Sequence, residues 1–223
     1  MKFIYNKTGK NAFSLVEMMV VLTVVGVLMA FAAPNVFSLV QASTLSNEGN
    51  ILRNQLTFAQ QNAVSKNSDV EVRFFKWADK ASAQTTPTFS AFQLYQYNST
   101  GEMVPISSFF RIKAPSALNE RLSTLLKPGQ GTAQDRKYGF VAPHEGQALT
   151  PSGAGISAEQ TDYVAFRFRP DGSTDLPPRA PGDETWYLML VQGEGAALNS
   201  NLPRNYVCLQ VNPYNGVVTE FRP

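Results

Sequence analysis

The chain has 223 residues with 43% hydrophobic content, which suits an anchor or tail attached to one modest domain. Its formal net charge is +2. The excess of positive charge lies in the first twelve residues, which contain Lys2, Lys7 and Lys10, whereas the rest of the chain has sixteen basic and seventeen acidic residues. This near-neutral remainder argues against nucleic-acid binding, so no nucleic-acid partner is expected. Cys208 is the only cysteine, which excludes an intrachain disulfide and a zinc cluster.

The first predicted element is an apolar helix. Residues 18–33 carry no charge, and about twenty mostly apolar residues counted from Phe13 suffice to cross a hydrocarbon core of ~30 Å. The lysines before this segment should remain cytoplasmic, which predicts a single pass through a bacterial inner membrane with the carboxy-terminal part outside it. Glu17 lies in the first turn, and a charge in such a segment, which costs ~2.5 to 3.5 kcal/mol, is by default paired and functional.

Two interpretations of this segment need no special role for Glu17. In the first, it is a Sec signal peptide, with Ala30, Phe31 and Ala32 forming a small-x-small cleavage site before Ala33. In the second, it is a plain single-span anchor whose glutamate is solvated by lipid headgroups. The apolar run is longer than the ~7 to 15 residues of a signal-peptide core, which counts against the first interpretation.

A third interpretation uses the whole stretch AFSLVEMMVVLTVVGVLMAFAAPN, residues 12–35, which resembles the amino-terminal signature of type IV prepilins and pseudopilins. The resemblance implies that a prepilin peptidase cuts between Ala12 and Phe13, and that Phe13 becomes an N-methylated amino terminus. Glu17 is then the fifth residue of the mature chain and Pro34 the twenty-second, where the family has its glutamate and often a proline. Ala12 departs from the glycine that the family usually has before the cut.

The resemblance also implies a pilin-like α+β fold, with a long amino-terminal helix packed on a carboxy-terminal antiparallel β-sheet domain. The implied partners are other pilin or pseudopilin subunits, the prepilin peptidase and the inner membrane. Glu17 would pair with the amino group of Phe13 in a neighbouring subunit and so set the register of filament assembly. The implied segments are a leader at 1–12, a membrane and assembly half-helix at 13–34, an amphipathic half-helix at 35–68 and a β-rich domain at 69–223.

Beyond the apolar run, the helix is predicted to continue with one polar, solvent-exposed face and one apolar face. Pro34 lacks an amide donor and should kink it, while Gly49 marks a soft point. Asn67 and Ser68 predict its end. The apolar face consists of residues at spacings of three, four and seven: Leu45, Leu52, Leu56, Ala59 and Ala63.

Seven segments with a period of two, rich in β-branched and aromatic residues, predict strands after the helix. The segments are Asp69–Trp77, Ala91–Asn98, Ser108–Pro115, Tyr163–Pro170, Trp186–Gly193, Asn205–Asn212 and Gly216–Pro223. Asn215 and Gly216 within PYNG predict a tight hairpin, and RPDG at 169–172 predicts a β-turn. The late strand with its glycine turn and the final strand also resemble the carboxy-terminal half of the H-type minor pseudopilins.

Two segments interrupt these strands. Ala78–Ser90 is polar and predicts a loop, whereas Ser116–Gly129, with a capping serine and leucines at helical spacing, predicts a short amphipathic helix. The stretch onward to Thr161 is rich in Gly, Pro, Gln and Ala and predicts a long exposed excursion, so that 113–161 forms a loop-rich insertion. This insertion either carries a recognition surface for a partner or is disordered without one.

Residues able to support catalysis or metal binding are few, and no enzyme activity, cofactor or metal site is expected. His144 is the only histidine and is predicted to be an exposed loop residue. Arg167 and Arg169 alternate with phenylalanines, as in a half-exposed strand. Gly153–Gly155 lacks the third glycine of a dinucleotide fingerprint. Four aspartates that do not match a calcium loop are predicted to be turn and surface residues: Asp162, Asp171, Asp175 and Asp183.

These observations favour a minor pilin or pseudopilin subunit of a type II secretion pseudopilus or a type IV pilus. One alternative is a ligand-binding minor pilin, an adhesin or a DNA-uptake component, whose β domain would expose a basic or aromatic patch. Another is a soluble protein, such as an enzyme, secreted after cleavage by signal peptidase. The mature amino terminus distinguishes them, because N-methylated Phe13 supports the pilin interpretation and a chain beginning at Ala33 supports secretion.

Overall fold

The computed structural model of the chain describes its amino-terminal helix and much of a β domain. The described residues are 14–77, 87–114, 116–129, 134, 137, 139–140, 142–150, 160–179, 185–192 and 201–223, with the backbone alone at 32–38. The chain divides into two compact units, Met1–Val40 and Gln41–Pro223. One long helix is followed by antiparallel sheets, so the architecture is α+β, as predicted.

The long helix, α1, extends over Leu15–Lys66. The next residue is Asn67, whose φ of 50° lies in the left-handed region that asparagine tolerates. The Ser68 N–H donates to the Ala63 carbonyl at 3.2 Å, and the Asn67 N–H donates to the Val64 carbonyl at 3.4 Å. These bonds satisfy carbonyls that a helix end leaves free. The predicted stop at Asn67 and Ser68 is therefore confirmed.

The described part of the β domain contains ten strands in two antiparallel sheets. They are β1 (Val70–Trp77), β2 (Thr88–Tyr97), β3 (Met103–Pro105), β4 (Phe110–Arg111), β5 (Ser116–Leu118), β6 (His144–Leu149), β7 (Gln160–Phe168), β8 (Trp186–Gln192), β9 (Tyr206–Val211) and β10 (Val218–Phe221). The first sheet has the order β3-β2-β1-β7-β6 with β4 beside β2, and the second has the order β10-β9-β8-β5. Each of the seven predicted segments contains a strand. Ser108–Pro115 contributes only the two residues of β4, because β3 occupies the adjoining length of the β2 edge.

The central strand of the first sheet is β1, which pairs with β2 on one side and β7 on the other. Val70 faces Gln96 of β2 and Phe168 of β7. Because side chains alternate across a strand, Val70 enters the hydrophobic core while Glu71 and Arg73 lie on the opposite face. The sequence of β1 therefore places a charged pair on the outer face of the sheet.

One hydrophobic cluster contains residues of α1 and of both sheets. The five leucines and alanines of the predicted apolar helix face are at most 1% exposed and belong to it, together with Phe74 of β1 and Trp186 of β8. Gly49 of α1 lies against β9, since a Cβ added to this glycine would come within 2.9 Å of Val207 Cγ1. The glycine therefore permits close packing at this point of the helix, and its predicted role as a flexible point stays a prediction.

The end of β10 is bonded to α1 through Arg222. Its guanidinium donates to Ser46 Oγ at 2.8 Å and to Asn50 Oδ1 at 3.1 Å, and it also pairs with Glu220. Val218 at the start of β10 is buried in the shared cluster. The residue that follows β10, Arg222, is thus bonded to the helix, while Val218 belongs to the cluster that also contains residues of α1.

The helix predicted over Ser116–Gly129 is wrong. Its first residues form β5, which pairs with β8, and Thr124–Leu126 forms a single 3-10 turn. The hydroxyl of Ser123 accepts the Met189 N–H of β8 at 2.8 Å. Backbone and side-chain bonds to β8 thus outweigh the helical spacing of the leucines, whose side chains Leu118, Leu125 and Leu126 are buried in the core.

The long exposed excursion predicted up to Thr161 is also wrong in part, because it contains β6 and the first residues of β7. All six residues of β6 pair with β7. A Cβ at Gly146 would come within 2.6 Å of the Tyr163 hydroxyl, so the glycine allows this tyrosine to lie across β6. Residues 151–159, and 78–86 of the predicted Ala78–Ser90 loop, lie outside the described residues; Thr88–Ser90 belong to β2.

The two predicted turns have different outcomes. In RPDG, the Gly172 N–H donates to the Arg169 carbonyl at 2.9 Å, which confirms the β-turn. In PYNG, the Gly216 N–H donates to the Asn212 carbonyl at 2.8 Å, so the loop covers 212–217 and the two-residue hairpin is wrong. The Asn212 side chain accepts the Tyr214 N–H at 2.9 Å and so stabilises the longer turn.

Candidate processing and assembly site

Ser14 caps the start of α1. Its Oγ accepts the Glu17 N–H at 3.1 Å, and its carbonyl accepts the Met18 N–H at 3.2 Å. The first bond satisfies one of the amides that a helix start leaves without a partner, and the second is the first backbone bond of the helix. Ser-x-x-Glu is the spacing of a capping box. The role of Ser14 was not predicted, although this spacing signals it.

Glu17 is an exposed carboxylate in the first turn of α1. Its negative charge is favourable there by ~0.3 to 1 kcal/mol, because the free amides of a helix start carry partial positive charge. It is the only charged residue of the sequence between Ser14 and Asn47, and its neighbours Leu15 and Met18 are exposed and apolar. A carboxylate in such surroundings can accept hydrogen bonds from an ammonium group.

Large apolar side chains are exposed along the amino-terminal part of α1. Leu15 is 76% exposed and Phe31 is 74% exposed. The hydroxyl of Thr23 donates to the Met19 carbonyl at 2.8 Å, so this polar group is satisfied within the helix. The other exposed apolar residues of this part include Val16, Met18, Val20, Val21, Leu22, Val24, Val25, Val27, Leu28 and Met29. Within the part of the chain that the structure describes, no helix has the length and apolarity needed to cross a membrane.

The structure describes only some of the predicted site residues. Ala12 and Phe13 lie outside the described residues, and their role in processing stays a prediction. Pro34 lies within α1, but its side chain lies outside the described residues too, so the predicted kink also stays a prediction. Glu17 is the predicted site residue whose surroundings are described.

A second group of charged residues surrounds Glu71 on the outer face of the first sheet. The Glu71 carboxylate is 1% exposed and lies 2.6 Å from Arg73 Nε, 2.8 Å from Arg167 Nε and 3.5 Å from His144 Nε2. Burial acts to raise the pKa of Glu71, but hydrogen bonds from His144, Arg73 and Arg167 lower it to about 2. His144 is thus a strand residue in an ion cluster, and its predicted position in an exposed loop is wrong.

Aromatic rings cover the two arginines of this cluster. The Arg73 guanidinium carbon lies 4.3 Å from the ring centroid of Tyr95 and 4.5 Å from that of Tyr163, and the Arg167 carbon lies 5.5 Å from that of Tyr97. All three distances are within the range of cation-π attraction. The cationic and aromatic side chains here contact one another and form a packed layer.

Asp175 does not lie at the surface, so its predicted position is wrong. It is 3% exposed, and its Oδ1 accepts the Arg167 N–H at 2.7 Å. Its Oδ2 meets no hydrogen-bond donor among the described residues. Burial raises the pKa of Asp175 to about 6, although the Arg167 bond and the nearby cations act against this rise. Of the other positions considered, Asp171 lies in the predicted turn, Asp162 is exposed in β7, and Asp183 and Gly153–Gly155 lie outside the described residues.

A cleft of about 370 Å³ opens beside β1, β6 and β7. On its wall, Lys76 Nζ lies 2.8 Å from Glu120 Oε1, and the Gln147 amide donates to Asp162 Oδ1 at 2.9 Å. Three charged groups of the cleft, Lys76, Glu120 and Asp162, thus have protein partners. In the ranges that the structure describes, no group of three or more His, Cys, Asp or Glu residues could hold a metal ion.

The amino-terminal segment matches a known family. Residues 7–33 match the family model described as the prokaryotic N-terminal methylation motif, and this range includes Ala12, Phe13 and Glu17. No curated protein and no solved structure matches the chain. This motif, over residues 7–33, indicates a type IV prepilin-like family.

Proposed function

We propose that the chain is a minor pilin or pseudopilin subunit that is processed by prepilin peptidase and assembled into a filament. The observation that carries this proposal is the methylation motif at 7–33, in which Glu17 follows Phe13 by four residues. The peptidase removes residues 1–12, and Phe13 becomes the N-methylated amino terminus. The only reaction of this subunit is as a substrate, and its function in the filament is structural.

Processing creates a cationic partner for Glu17. Cleavage before Phe13 leaves an ammonium group, and Glu17 is an exposed carboxylate in otherwise apolar surroundings. In the proposed filament, Glu17 accepts hydrogen bonds from the Phe13 ammonium group of a neighbouring subunit. Pairing of the two charges offsets part of the cost of holding either one among apolar side chains, and leaving one of them unpaired would cost more.

The proposed arrangement is pilin-like. Residues 13–34 anchor the subunit in the bacterial inner membrane and pack against other subunits, which the exposed apolar side chains from Leu15 to Phe31 support. The later part of α1 packs on the sheets of the β domain, supported by the hydrophobic cluster that contains Leu52 and Val207. The β domain lies in the periplasm or in an extracytoplasmic filament.

The filament is a type II secretion pseudopilus or a type IV pilus, and within the family we place the chain nearest the H-type minor pseudopilins. Two glycine-containing turns support this branch. Gly172 lies before β8 and Gly216 lies before β10, and both have positive φ. Ligand capture by the β domain is the weaker candidate, because the arginines on the outer face of the first sheet are paired with Glu71 and covered by tyrosines.

The mature amino terminus tests this proposal. The full chain is expressed with and without a prepilin peptidase in a bacterial host, and the product is analysed by intact-mass and terminal-peptide mass spectrometry. We expect loss of residues 1–12 and a methylated Phe13 only when the peptidase is present. A product that begins at Ala33, or an uncleaved chain in the presence of the peptidase, contradicts the proposal.

A further inference from the structure

We propose that the β domain binds a neutral oligosaccharide in a gap that opens between β1 and β7 at one end of the first sheet. This site adds a ligand to the structural role proposed above and does not depend on that role. It lies on the face of the sheet opposite to the arginines that pair with Glu71.

The gap forms because β1 and β7 separate before either strand ends. The last pair of the β1–β7 ladder is Phe75 with Tyr163. β1 nevertheless continues beside β2 to Trp77, and β7 is paired with β6 from Gln160 onward. The β1–β2 register shifts by one residue directly after Phe75, and a bulge of this kind bends a pair of strands. The two halves of the sheet therefore diverge at this end.

Two clefts meet in this gap. They have volumes of about 370 and 500 Å³, and Lys76, Gln147 and Asp162 line both of them. Each volume lies within the range of ~300 to 1,000 Å³ that is typical of small-molecule sites. The Thr161 hydroxyl donates to the Lys76 carbonyl across the gap, where a continuous ladder would have a backbone bond. The gap thus has room for a short oligosaccharide.

A row of planar polar side chains forms one wall of the gap. The Gln160 amide donates to Gln147 Oε1 at 3.0 Å, and the Gln147 amide donates to Asp162 Oδ1 at 2.9 Å. These bonds orient both amides before a ligand arrives. Each amide has two N–H donors and a carbonyl with two lone pairs, so the row still offers donors next to acceptors. A sugar ring matches such a row, because its neighbouring hydroxyl groups each donate and accept.

The charges of the two clefts favour an uncharged ligand. Lys76 Nζ lies 2.8 Å from Glu120 Oε1, so the ammonium group is already paired. Asp162 accepts the Gln147 amide, and Glu145 adds a further carboxylate to the wall of the first cleft. Among the described residues of the walls, an anion would meet three carboxylates and one paired lysine. A cation would have to displace the partners that two of these carboxylates already have.

Apolar side chains beside the polar row fit the C–H groups of a sugar. Phe89, Leu126 and Val164 line the first cleft and belong to the hydrophobic cluster of the core. The half-buried Trp77 lines the second cleft. Because Val164 faces the core, the first cleft lies on the face of the sheet opposite to Glu71. Apolar walls with a few oriented polar groups are the usual composition of a small-molecule site.

The test uses the purified full chain in a detergent without a sugar head group. Maltotriose, cellotriose and triacetylchitotriose are titrated separately, and binding is followed by saturation-transfer NMR and by tryptophan fluorescence. We expect at least one of them to saturate with a Kd of about 1 mM, because hydrogen bonds in an open cleft replace bonds to water. The fluorescence should change on binding, since Trp77 lines the second cleft whereas Trp186 is buried in the core.

Substitutions of exposed strand residues locate the site. Gln147→Met and Gln160→Met keep the size of the side chain and remove its hydrogen bonds, so each should weaken binding about tenfold. Gln210→Met in β9 is the matched control and should bind as the wild type does. Asp162→Asn keeps an acceptor for the Gln147 amide and should bind a neutral saccharide within about fivefold of the wild type.

Three results would overturn the inference. The first is that none of the three saccharides saturates the wild type. The second is wild-type affinity in both Gln147→Met and Gln160→Met, or an equal loss of affinity in Gln210→Met. The third is tighter binding of spermidine than of any saccharide, with loss of spermidine binding in Asp162→Asn, which would identify a cation site instead. None of these results bears on cleavage before Phe13, so the proposed function is tested separately.

Discussion

Two buried carboxylates of the β domain show how the environment of a residue decides its protonation. Glu71 meets two guanidinium groups and His144, and its pKa falls to about 2. Asp175 is equally enclosed but receives one backbone amide on Oδ1, and burial raises its pKa to about 6. The number of donors that face each carboxylate accounts for the opposite directions.

The two pKa shifts have opposite effects on stability. The folded-state pKa of Glu71 is below its ordinary value, so its contribution is present above pH ~4.5 and is lost as the pH falls toward about 2. The folded-state pKa of Asp175 is above its ordinary value, so its contribution is full below pH ~4 and is lost as the pH rises through about 6. The sum of the two contributions to the free energy of unfolding is greatest near pH ~4.

Asp175→Asn tests this account. In the wild type, the free energy of unfolding should decline by ~2 kcal/mol between pH 4 and 6 as Asp175 ionises. The substitution keeps an oxygen for the Arg167 N–H but removes the charge, so this decline should be absent in Asp175→Asn. Denaturant unfolding across this pH range measures the effect. Asp171→Asn is the matched control, since that carboxylate is exposed in a turn and should leave the decline in place. An unchanged pH profile in Asp175→Asn would contradict the assignment.

At the scale of elements, the contact of α1 with β9 depends on the absence of a side chain at Gly49. Gly49→Ala would bring Cβ within 2.9 Å of Val207 Cγ1, and the β-branched valine has little freedom to move away. We expect a loss of ~1 to 3 kcal/mol of unfolding free energy from overpacking, partly offset by the better helix propensity of alanine.

A second substitution should relieve this strain. In a Val207→Ala background, Gly49→Ala should cost much less than in the wild type, and chemical denaturation of the four chains gives the coupling energy. Gly26→Ala provides the control, because nothing lies within 4 Å of a Cβ at Gly26. If Gly49→Ala proves as harmless as Gly26→Ala, the close approach is not a constraint on the fold.

Elements with a local signal were predicted well from the sequence. The apolar face of α1 with Leu52 at its centre, the stop at Asn67 and the RPDG turn each depend on neighbouring residues, and all three were confirmed. The division of the strands between two sheets depends on contacts distant in sequence. β5 was mistaken for a helix because its leucines fit both patterns, and only pairing with β8 decides between them.

The candidate site was predictable where a motif encodes it. The spacing of Phe13 and Glu17 pointed to processing, and the matching family model covers both residues. The cluster around Glu71 was not predicted, because Glu71, His144 and Arg167 come from three strands that meet only in the folded sheet. A lone histidine in a Gly- and Pro-rich stretch gives no local sign of such partners.

At the scale of the whole molecule, the proposed function assigns separate tasks to the two ends of α1. The Glu17 end engages neighbouring subunits, and the later part packs with the β domain. Glu17→Ala should therefore leave leader cleavage and the unfolding of the β domain intact while it reduces incorporation into filaments severalfold. Sheared filaments and membrane fractions, compared by immunoblot, measure incorporation. Glu17→Gln keeps the capping-box partner without the charge and separates the two roles of the side chain.

Normal incorporation of the Glu17 variants into filaments would contradict this prediction. If Glu17→Ala is incorporated as well as the wild type, the carboxylate does not set the assembly register. If Glu17→Gln is incorporated normally and Glu17→Ala is not, hydrogen bonding rather than charge is what the filament requires.

The bond between Arg222 and α1 also bears on how the domain is made. Arg222 donates to Ser46, 176 positions earlier in the chain, and Val218 completes the core that contains Leu45. Contacts this distant in sequence close large loops and slow folding. A ribosome must therefore synthesise the chain beyond Arg222 before β10 and this arginine can join the helix. Until then, the apolar face of the nascent helix stays available to chaperones and to aggregation.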